Sequence, residues 1–327
     1  MQQPAFWQGN GPLARGLAPL GWLYDLGGVL RQRFVRAQAA AAPVICVGNA
    51  TVGGTGKTPV AIDIATHLTR QGQAPHVLTR GYGGANPAQP LRVEPERHGA
   101  DEVGDEALLL ARVAPTWVSR DRVAAARAAV AAGASVLVMD DGFQNPALAK
   151  DLSLLVVDGG TGFGNGQILP AGPLRERPER ALARSHAVVI VGEDRCGLAE
   201  RFSGSRPVLM VRMEPDSASR DLQGRRVLAF AGIGRPGKFF ETLERLGAEV
   251  VERMPFADHH RFAEAELRDL LARAERLDAI PATTEKDAAR LPAWARERVR
   301  TVRVELVWDD PGQLETLLAG ALGHGQG

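Results

Sequence analysis

The chain has 327 residues, of which 45% are hydrophobic and 24% charged. That is room for two domains, and the balance excludes a disordered chain. Thirty-nine basic against 38 acidic side chains leave a net charge of +1, which argues against a general nucleic-acid binder, and two cysteines, Cys46 and Cys196, exclude a disulfide scaffold and suit a reducing compartment. Only Lys57, Lys150, Lys238 and Lys286 among the cations are lysine, so arginine abundance by itself carries no message.

No stretch reaches the roughly 18 consecutive apolar residues of a membrane span. Within residues 11–42, Leu13, Leu17, Leu20, Leu23, Leu26, Leu30 and Phe34 recur at steps of three or four, one stripe of a helix that Pro19 would kink or restart. Trp7, Trp22 and Tyr24 add amphipathic aromatics, and Arg15, Arg31, Arg33 and Arg36 are set against Asp25 alone. Such a helix suits an anionic membrane surface, or equally the protein's own core. It is not a signal peptide, because the basic residues follow the apolar part. Residues 1–42 are set apart as an amphipathic segment, and their pattern alone leaves membrane and core equally open.

Pro43 to Asn49 is a short β-branched run that reads as a buried parallel strand. Thr51, Val52, Gly53, Gly54, Thr55, Gly56, Lys57 and Thr58 follow, and then a helical pattern through Leu68. Strand, glycine loop, Gly-Lys-Thr and helix form the context of a phosphate-binding loop. Glycines let backbone amides turn inward, and the helix start adds unpaired N–H groups. Lys57 reaches the β- and γ-phosphates, and the Thr58 hydroxyl suits Mg²⁺. The strict pattern places a glycine where Thr51 stands, so Gly53 and Gly54 must supply the flexibility.

A parallel α/β pattern continues. His76–Thr79 is a strand leading into the glycine-rich Arg80–Gly84, and Gly104-Asp105-Glu106 opens a helix, where carboxylates also favour the positive helix end. A short strand at 117–119 and an alanine-rich helix stopped by Gly133 precede Ser135–Met139, which ends in Asp140-Asp141-Gly142. An apolar strand ending in aspartate is where a phosphate-loop enzyme places its second metal-holding carboxylate; a plain turn is the competing reading. Strands follow at 151–158 and 187–192, separated by a glycine- and proline-rich stretch, 162–176, of the kind that is functional or mobile. Arg175 within it is a candidate anion clamp.

After Arg206-Pro207 the pattern restarts, dividing the remainder into domains at 43–205 and 206–327. Strands are expected at 227–231, 249–256, 279–284 and 302–308, and helices at 239–246, 264–277 and 313–322. Asp258-His259-His260 falls at the carboxyl end of a strand, the side on which open α/β sheets bind ligands. Zinc and plain structural surface histidines are rivals, zinc the weaker because no second His/Cys cluster accompanies them, and catalysis is preferred to both.

These motifs occur in a telling order: Gly53–Pro59, Arg80–Gly83, Gly104–Glu106, Asp140–Gln144, Leu169–Glu176, Phe230–Gly234, Asp258–His260 and Thr284–Asp287. The set resembles the tetraacyldisaccharide 4'-kinase family, the lipid A kinases of Gram-negative bacteria, over residues 13 to about 290. The resemblance implies a phosphate-loop parallel-sheet domain plus a smaller carboxyl-terminal α/β domain closing a cleft. It implies ATP and Mg²⁺ as cofactors, and phosphoryl transfer to the 4'-hydroxyl of a tetraacylated glucosamine disaccharide 1-phosphate. The enzyme would sit on the cytoplasmic face of the inner membrane with no obligate protein partner. By resemblance Asp105 is the base and His259 its dyad partner, with Lys57 and Asp141 also catalytic. Thr58, Asp140, Asp141 and Glu106 would hold the metal, and Arg120, Arg175, Glu176 and His260 would meet the substrate. The family usually has histidine after Asp-Asp-Gly-Phe-Gln, where Asn145 stands here.

Other phosphate-loop proteins are alternatives: a soluble kinase, a metal-insertion GTPase, or a nucleotide-switched membrane adaptor. A GTPase should carry Asn/Thr-Lys-x-Asp, and in Thr284-Glu285-Lys286-Asp287 the lysine abuts the aspartate, so that fit fails.

Overall fold

The computed structural model describes residues 4–85, 87 and 89–323. The outermost residues of the expected first and last domains, 1–3 and 324–327, lie outside it. Thirteen strands occur in the described residues: β1 (Val44–Gly48), β2 (Pro75–Thr79), β3 (Leu91–Arg92), β4 (Thr116–Val118), β5 (Val136–Asp140), β6 (Leu152–Asp158), β7 (Ala187–Val191), β8 (Val208–Pro215), β9 (Arg226–Ala231), β10 (Glu249–Pro255), β11 (Ile280–Thr284), β12 (Arg300–Val302) and β13 (Val304–Trp308).

Nine strands form one sheet in the order β13-β8-β7-β6-β1-β5-β2-β4-β3, and four form another in the order β10-β9-β11-β12. In the larger sheet β1 pairs in parallel with both β5 and β6, while the short β3 runs antiparallel to β4 at one edge and β13 runs antiparallel to β8 at the other. Every residue of β1, β2, β5, β6 and β7 is buried, and all but β2 are the mostly apolar runs expected when helices cover both faces.

The chain divides into two compact units, residues 213–305 and the remainder. This corrects the expected boundary at 206. The run from Val208 pairs with β7 and so extends the large sheet. The single strand expected at 302–308 is two strands: β12 completes the small sheet, and β13 joins β8 in the large one. The final helix, Pro311–Gly323, then lies in the larger unit.

The amino-terminal helix runs from Pro12 to Phe34, straight through Pro19. Its buried positions are Ala14, Gly21 and Asp25, not the leucine stripe. Gly21 is needed there, because a Cβ would stand 3.0 Å from the Ile168 carbonyl oxygen. Asp25 accepts a bidentate pair from Arg180 at 2.8 and 2.7 Å, with Arg177 Nε at 3.2 Å. Leu13, Leu20, Trp22, Leu23, Tyr24, Leu26, Leu30 and Phe34 face outward. The helix thus docks through small and charged residues and does not pack its apolar stripe on the core. Among the described residues, no helix is long and apolar enough to cross a membrane.

Candidate active site

The site is built where β1 and β5 lie side by side. Their register sets Val47 against Asp140, so the loop leaving β1 and the aspartate ending β5 share one edge of the sheet. Gly53 and Gly56 have φ of 112° and 91°, a region open to glycine, and Gly56 caps the helix Lys57–Arg70. That helix begins with free N–H groups and the positive end of its dipole, as an anion site requires.

The glycine- and proline-rich stretch proves to be a strap along this loop. The Val52 amide donates to the Pro173 carbonyl at 2.7 Å, and the Arg175 amide to the Ala50 carbonyl at 2.7 Å. Inside the loop the Asn49 side-chain amide donates to the Thr55 hydroxyl at 3.1 Å. Gln144 Nε2 holds the Asn49 carbonyl at 2.6 Å and Glu176 Oε1 at 3.0 Å, and Arg184 donates to Glu176 Oε2 at 2.6 Å. Glu176 was expected at the substrate; it is buried, and both its oxygens are engaged in bracing the loop.

The paired aspartates take different partners. The Thr58 hydroxyl donates to Asp140 Oδ2 at 3.3 Å, while Asp140 Oδ1 is buried with no hydrogen-bond partner. Burial, with the charges of Glu106 and Asp141, pushes the Asp140 carboxyl up to about 7, although Lys57 and Thr58 oppose this. Asp141 has φ of 53°, which turns it out of line with the strand. It accepts from Arg175 at 2.9 and 3.0 Å and lies 3.6 Å from Lys57 Nζ. Burial would raise its carboxyl, but Lys57 and Arg175 outweigh burial and hold it near 2. Beneath both, Arg122 is buried and donates to the Ser119 carbonyl; burial lowers its guanidinium to about 10, against the pull of the two aspartates. Gln144, Arg184, Arg122 and Asn49 carry this scaffold and were given no role by the sequence reading. The Gln144 position inside Asp-Asp-Gly-Phe-Gln was the available signal; two more arginines among so many offered none.

Asp105 is buried in the first turn of the helix Asp105–Ala111, and its Oδ1 accepts from the Glu106 amide at 3.0 Å. The turn is closely buttressed: a Cβ on Gly104 would stand 2.6 Å from the Tyr82 carbonyl, and one on Gly84 2.7 Å from that of Glu102. Arg120 is exposed beyond β4. Arg175, a candidate anion clamp, is engaged by Asp141. Asn145, at the family's histidine position, spends its side-chain oxygen on the Ala147 and Leu148 amides.

His259 and His260 belong to the smaller unit. His259 has φ of 59°, its amide donates to the Gly232 carbonyl at 3.0 Å, and its Nε2 lies 3.8 Å from Asp258. His260 pairs with Glu266 at 2.7 Å and stacks on Phe256, so its ring is held by internal partners where a substrate contact was expected. Asp287 is fully buried and accepts from the Gly232 amide, Arg290 and the Thr284 hydroxyl. The Thr284–Asp287 motif is therefore an internal staple rather than a base-reading group. Among the described residues, no cluster of three His, Cys, Asp or Glu could hold a metal. A cation at Asp140 would take few protein ligands and the rest from phosphates, as phosphate-loop sites do.

The chain matches the family model of tetraacyldisaccharide-1-P 4'-kinase over residues 13–323. It is 56% identical to the tetraacyldisaccharide 4'-kinase of Rhodospirillum centenum, covering all of this chain and 99% of that one. It is 52% identical to that of Paramagnetospirillum magneticum, covering 97% and 98%. Among solved structures it is similar to the "apo" form of LpxK from Aquifex aeolicus in complex with ATP, with a TM-score of 0.76, 27% identity, and coverage of 95% of this chain and 99% of that one. The glycine loop, the paired aspartates and the full-length likeness agree: this chain belongs to the tetraacyldisaccharide 4'-kinase family.

Proposed function

We propose that this chain transfers the γ-phosphoryl group of ATP to the 4'-hydroxyl of a tetraacylated disaccharide 1-phosphate. The observation that carries the reading is the Thr58–Asp140 pair beside the glycine loop, with Asp140 Oδ1 buried and unpartnered. The donor set is hard oxygen, and the raised carboxyl marks a place short of positive charge, so the residues fit Mg²⁺. Thr58 and Asp140 would hold it, with Glu106 adding negative charge nearby. When bound it neutralises charge on the phosphates. Asp141 then serves as the anchor of Lys57 and Arg175 rather than as a metal ligand. Lys57 and the loop amides cradle the β- and γ-phosphates, so this is a phosphate-loop enzyme.

Asp105 takes the proton of the 4'-hydroxyl as its oxygen bonds to the γ-phosphorus, and the bond from that phosphorus to the β–γ bridging oxygen breaks, releasing ADP. His259 is assigned to the same reaction, as an orienting residue, on the family resemblance.

The outward apolar stripe of the amino-terminal helix supports peripheral contact with the cytoplasmic face of the inner membrane. Extracting a buried acyl chain costs about 0.8 kcal/mol per CH₂, and an enzyme docked at the surface avoids most of it. The test incubates purified protein with ATP, Mg²⁺ and the acylated disaccharide monophosphate and weighs the product. One added phosphate is expected. ATP turnover indifferent to the glycolipid would overturn the reading.

A further inference from the structure

The helix Pro178–Ala183 and its capping residue Arg184 hold the amino-terminal helix at two points. Arg180 takes Asp25, and Arg184 Nη1 donates to Gln32 Oε1 at 3.1 Å. Asp25 and Gln32 lie about two turns apart on one face of that helix. Arg184 also reaches the phosphate loop, by two further routes. Its Nη2 donates to Glu176 Oε2 at 2.6 Å, Glu176 Oε1 accepts from Gln144 Nε2 at 3.0 Å, and that Nε2 also donates to the Asn49 carbonyl at 2.6 Å. Its guanidinium stands 5.4 Å from the centre of the Phe143 ring, and Phe143 packs so closely on the end of β1 that a Cβ on Gly48 would stand 2.6 Å from the Phe143 Cβ. Gly48 and Asn49 are the residues at which the chain leaves β1 for the loop that ends at Lys57.

The chemistry gives each link a direction. A carboxylate accepts and cannot donate, so Glu176 selects which end of the Gln144 amide faces the loop. Nε2 turns to the Asn49 carbonyl, and Oε1 accepts from Arg175 at 3.4 Å. Arg175 pairs with Asp141, and Asp141 with Lys57. Glu176 is buried, and a buried carboxylate needs a matching charge, which Arg184 supplies. A planar fork lets one side chain serve Gln32 and Glu176 with its edge and Phe143 with its face.

We propose that Arg184 is a positioning residue for the nucleotide: it sets the entry of the phosphate loop and couples that setting to the docking of the amino-terminal helix. This rests on the reading of the loop as the ATP cradle under Proposed function. Arg184 acts through Glu176, Gln144 and Phe143. A displaced entry aims the loop amides away from the phosphates, and small misplacements are costly in phosphoryl transfer. Coupling is reciprocal, so loosening the helix at Gln32 weakens ATP binding, and bound ATP steadies the helix.

The test measures equilibrium binding of ATP with Mg²⁺ to the full chain, without acceptor and below every unfolding midpoint. It compares wild type, Arg184→Gln, Arg184→Lys, Gln32→Ala and the double variant Gln32→Ala/Arg184→Gln. Arg184→Gln should raise the ATP dissociation constant about tenfold, and Arg184→Lys, which keeps the charge and loses the fork, should recover part of the loss. Gln32→Ala, a change on the helix, should raise it about threefold, and the double variant should be no weaker than Arg184→Gln alone. If Arg184→Gln lowers the unfolding midpoint but keeps ATP affinity within about twofold of wild type, the residue is structural only and the proposal falls. It falls equally if Arg184→Lys recovers nothing, if Gln32→Ala leaves affinity unchanged, or if Gln32→Ala adds its full penalty on top of Arg184→Gln. Wild type that binds no ATP would sink the reading of the loop itself; wild type that binds, with variants to match, sinks this inference alone.

Discussion

Asp25→Asn tests how the amino-terminal helix is held. The helix buries few side chains, so its docking leans on the Asp25 carboxylate with Arg180 and Arg177. A hydrogen bond to a charged group is worth about 1.5–3 kcal/mol. The Arg180 and Arg177 side chains are 36% and 56% exposed and regain water when released, which reduces the loss below that of a fully buried pair. About 2 kcal/mol remains, or roughly a 30-fold shift between docked and released helix. Hydrogen exchange should show protection across Pro12–Phe34 falling by that factor, while β1 and β5 keep theirs. Unchanged protection in the helix would refute the clamp. So would a loss spread evenly over the large sheet, which would make Asp25 part of the global core.

Asp140→Asn should leave the fold intact but cut turnover at least a hundredfold and weaken the response to added Mg²⁺; a normal Mg²⁺ titration would assign the metal elsewhere. Asp105→Ala should lower kcat while ATP affinity, measured by equilibrium binding, stays within threefold; equal losses would demote it from base to binding residue. His76 Nδ1 accepts from Trp117 and His186 Nδ1 from the Ser153 amide, and burial lowers both imidazoles below 6.5. The unfolded chain then binds more protons, so stability present above pH 6.5 should fall as pH drops below it, read by denaturant midpoints from pH 7.5 to 5.5. A flat profile, or one unchanged in His76→Gln/His186→Gln, would contradict this.

Much of the larger unit was legible because its signals are local. Mostly Val and Leu runs such as 136–140 and 152–158 are what doubly covered strands need, and the glycines before Lys57 mark a turn that few other residues permit. The helix at 12–34 was legible as a stripe, but a stripe does not say what covers it. That answer came from Gly21 against Ile168 and Asp25 against Arg180, both contacts far apart in sequence. The strand expected at 302–308 shows the same limit: Arg303 divides two strands that differ only in which sheet receives them. Adjacent aspartates look alike in a sequence, and only the left-handed backbone at Asp141 separates their duties. Glu176 and His260 were placed at the substrate because they sit in family motifs, and the structure spends both on internal partners.

The β8–β13 pairing has an architectural corollary. Backbone bonds join Asp309 to Met210 and Asp216 to Arg303, so outgoing and returning chain run together as an antiparallel ribbon. Residues 213–305 are in effect a module spliced into a host whose cut ends are already neighbours. Replacing them with a short hairpin should leave the rest of β13 paired to the rest of β8 at the edge of the large sheet.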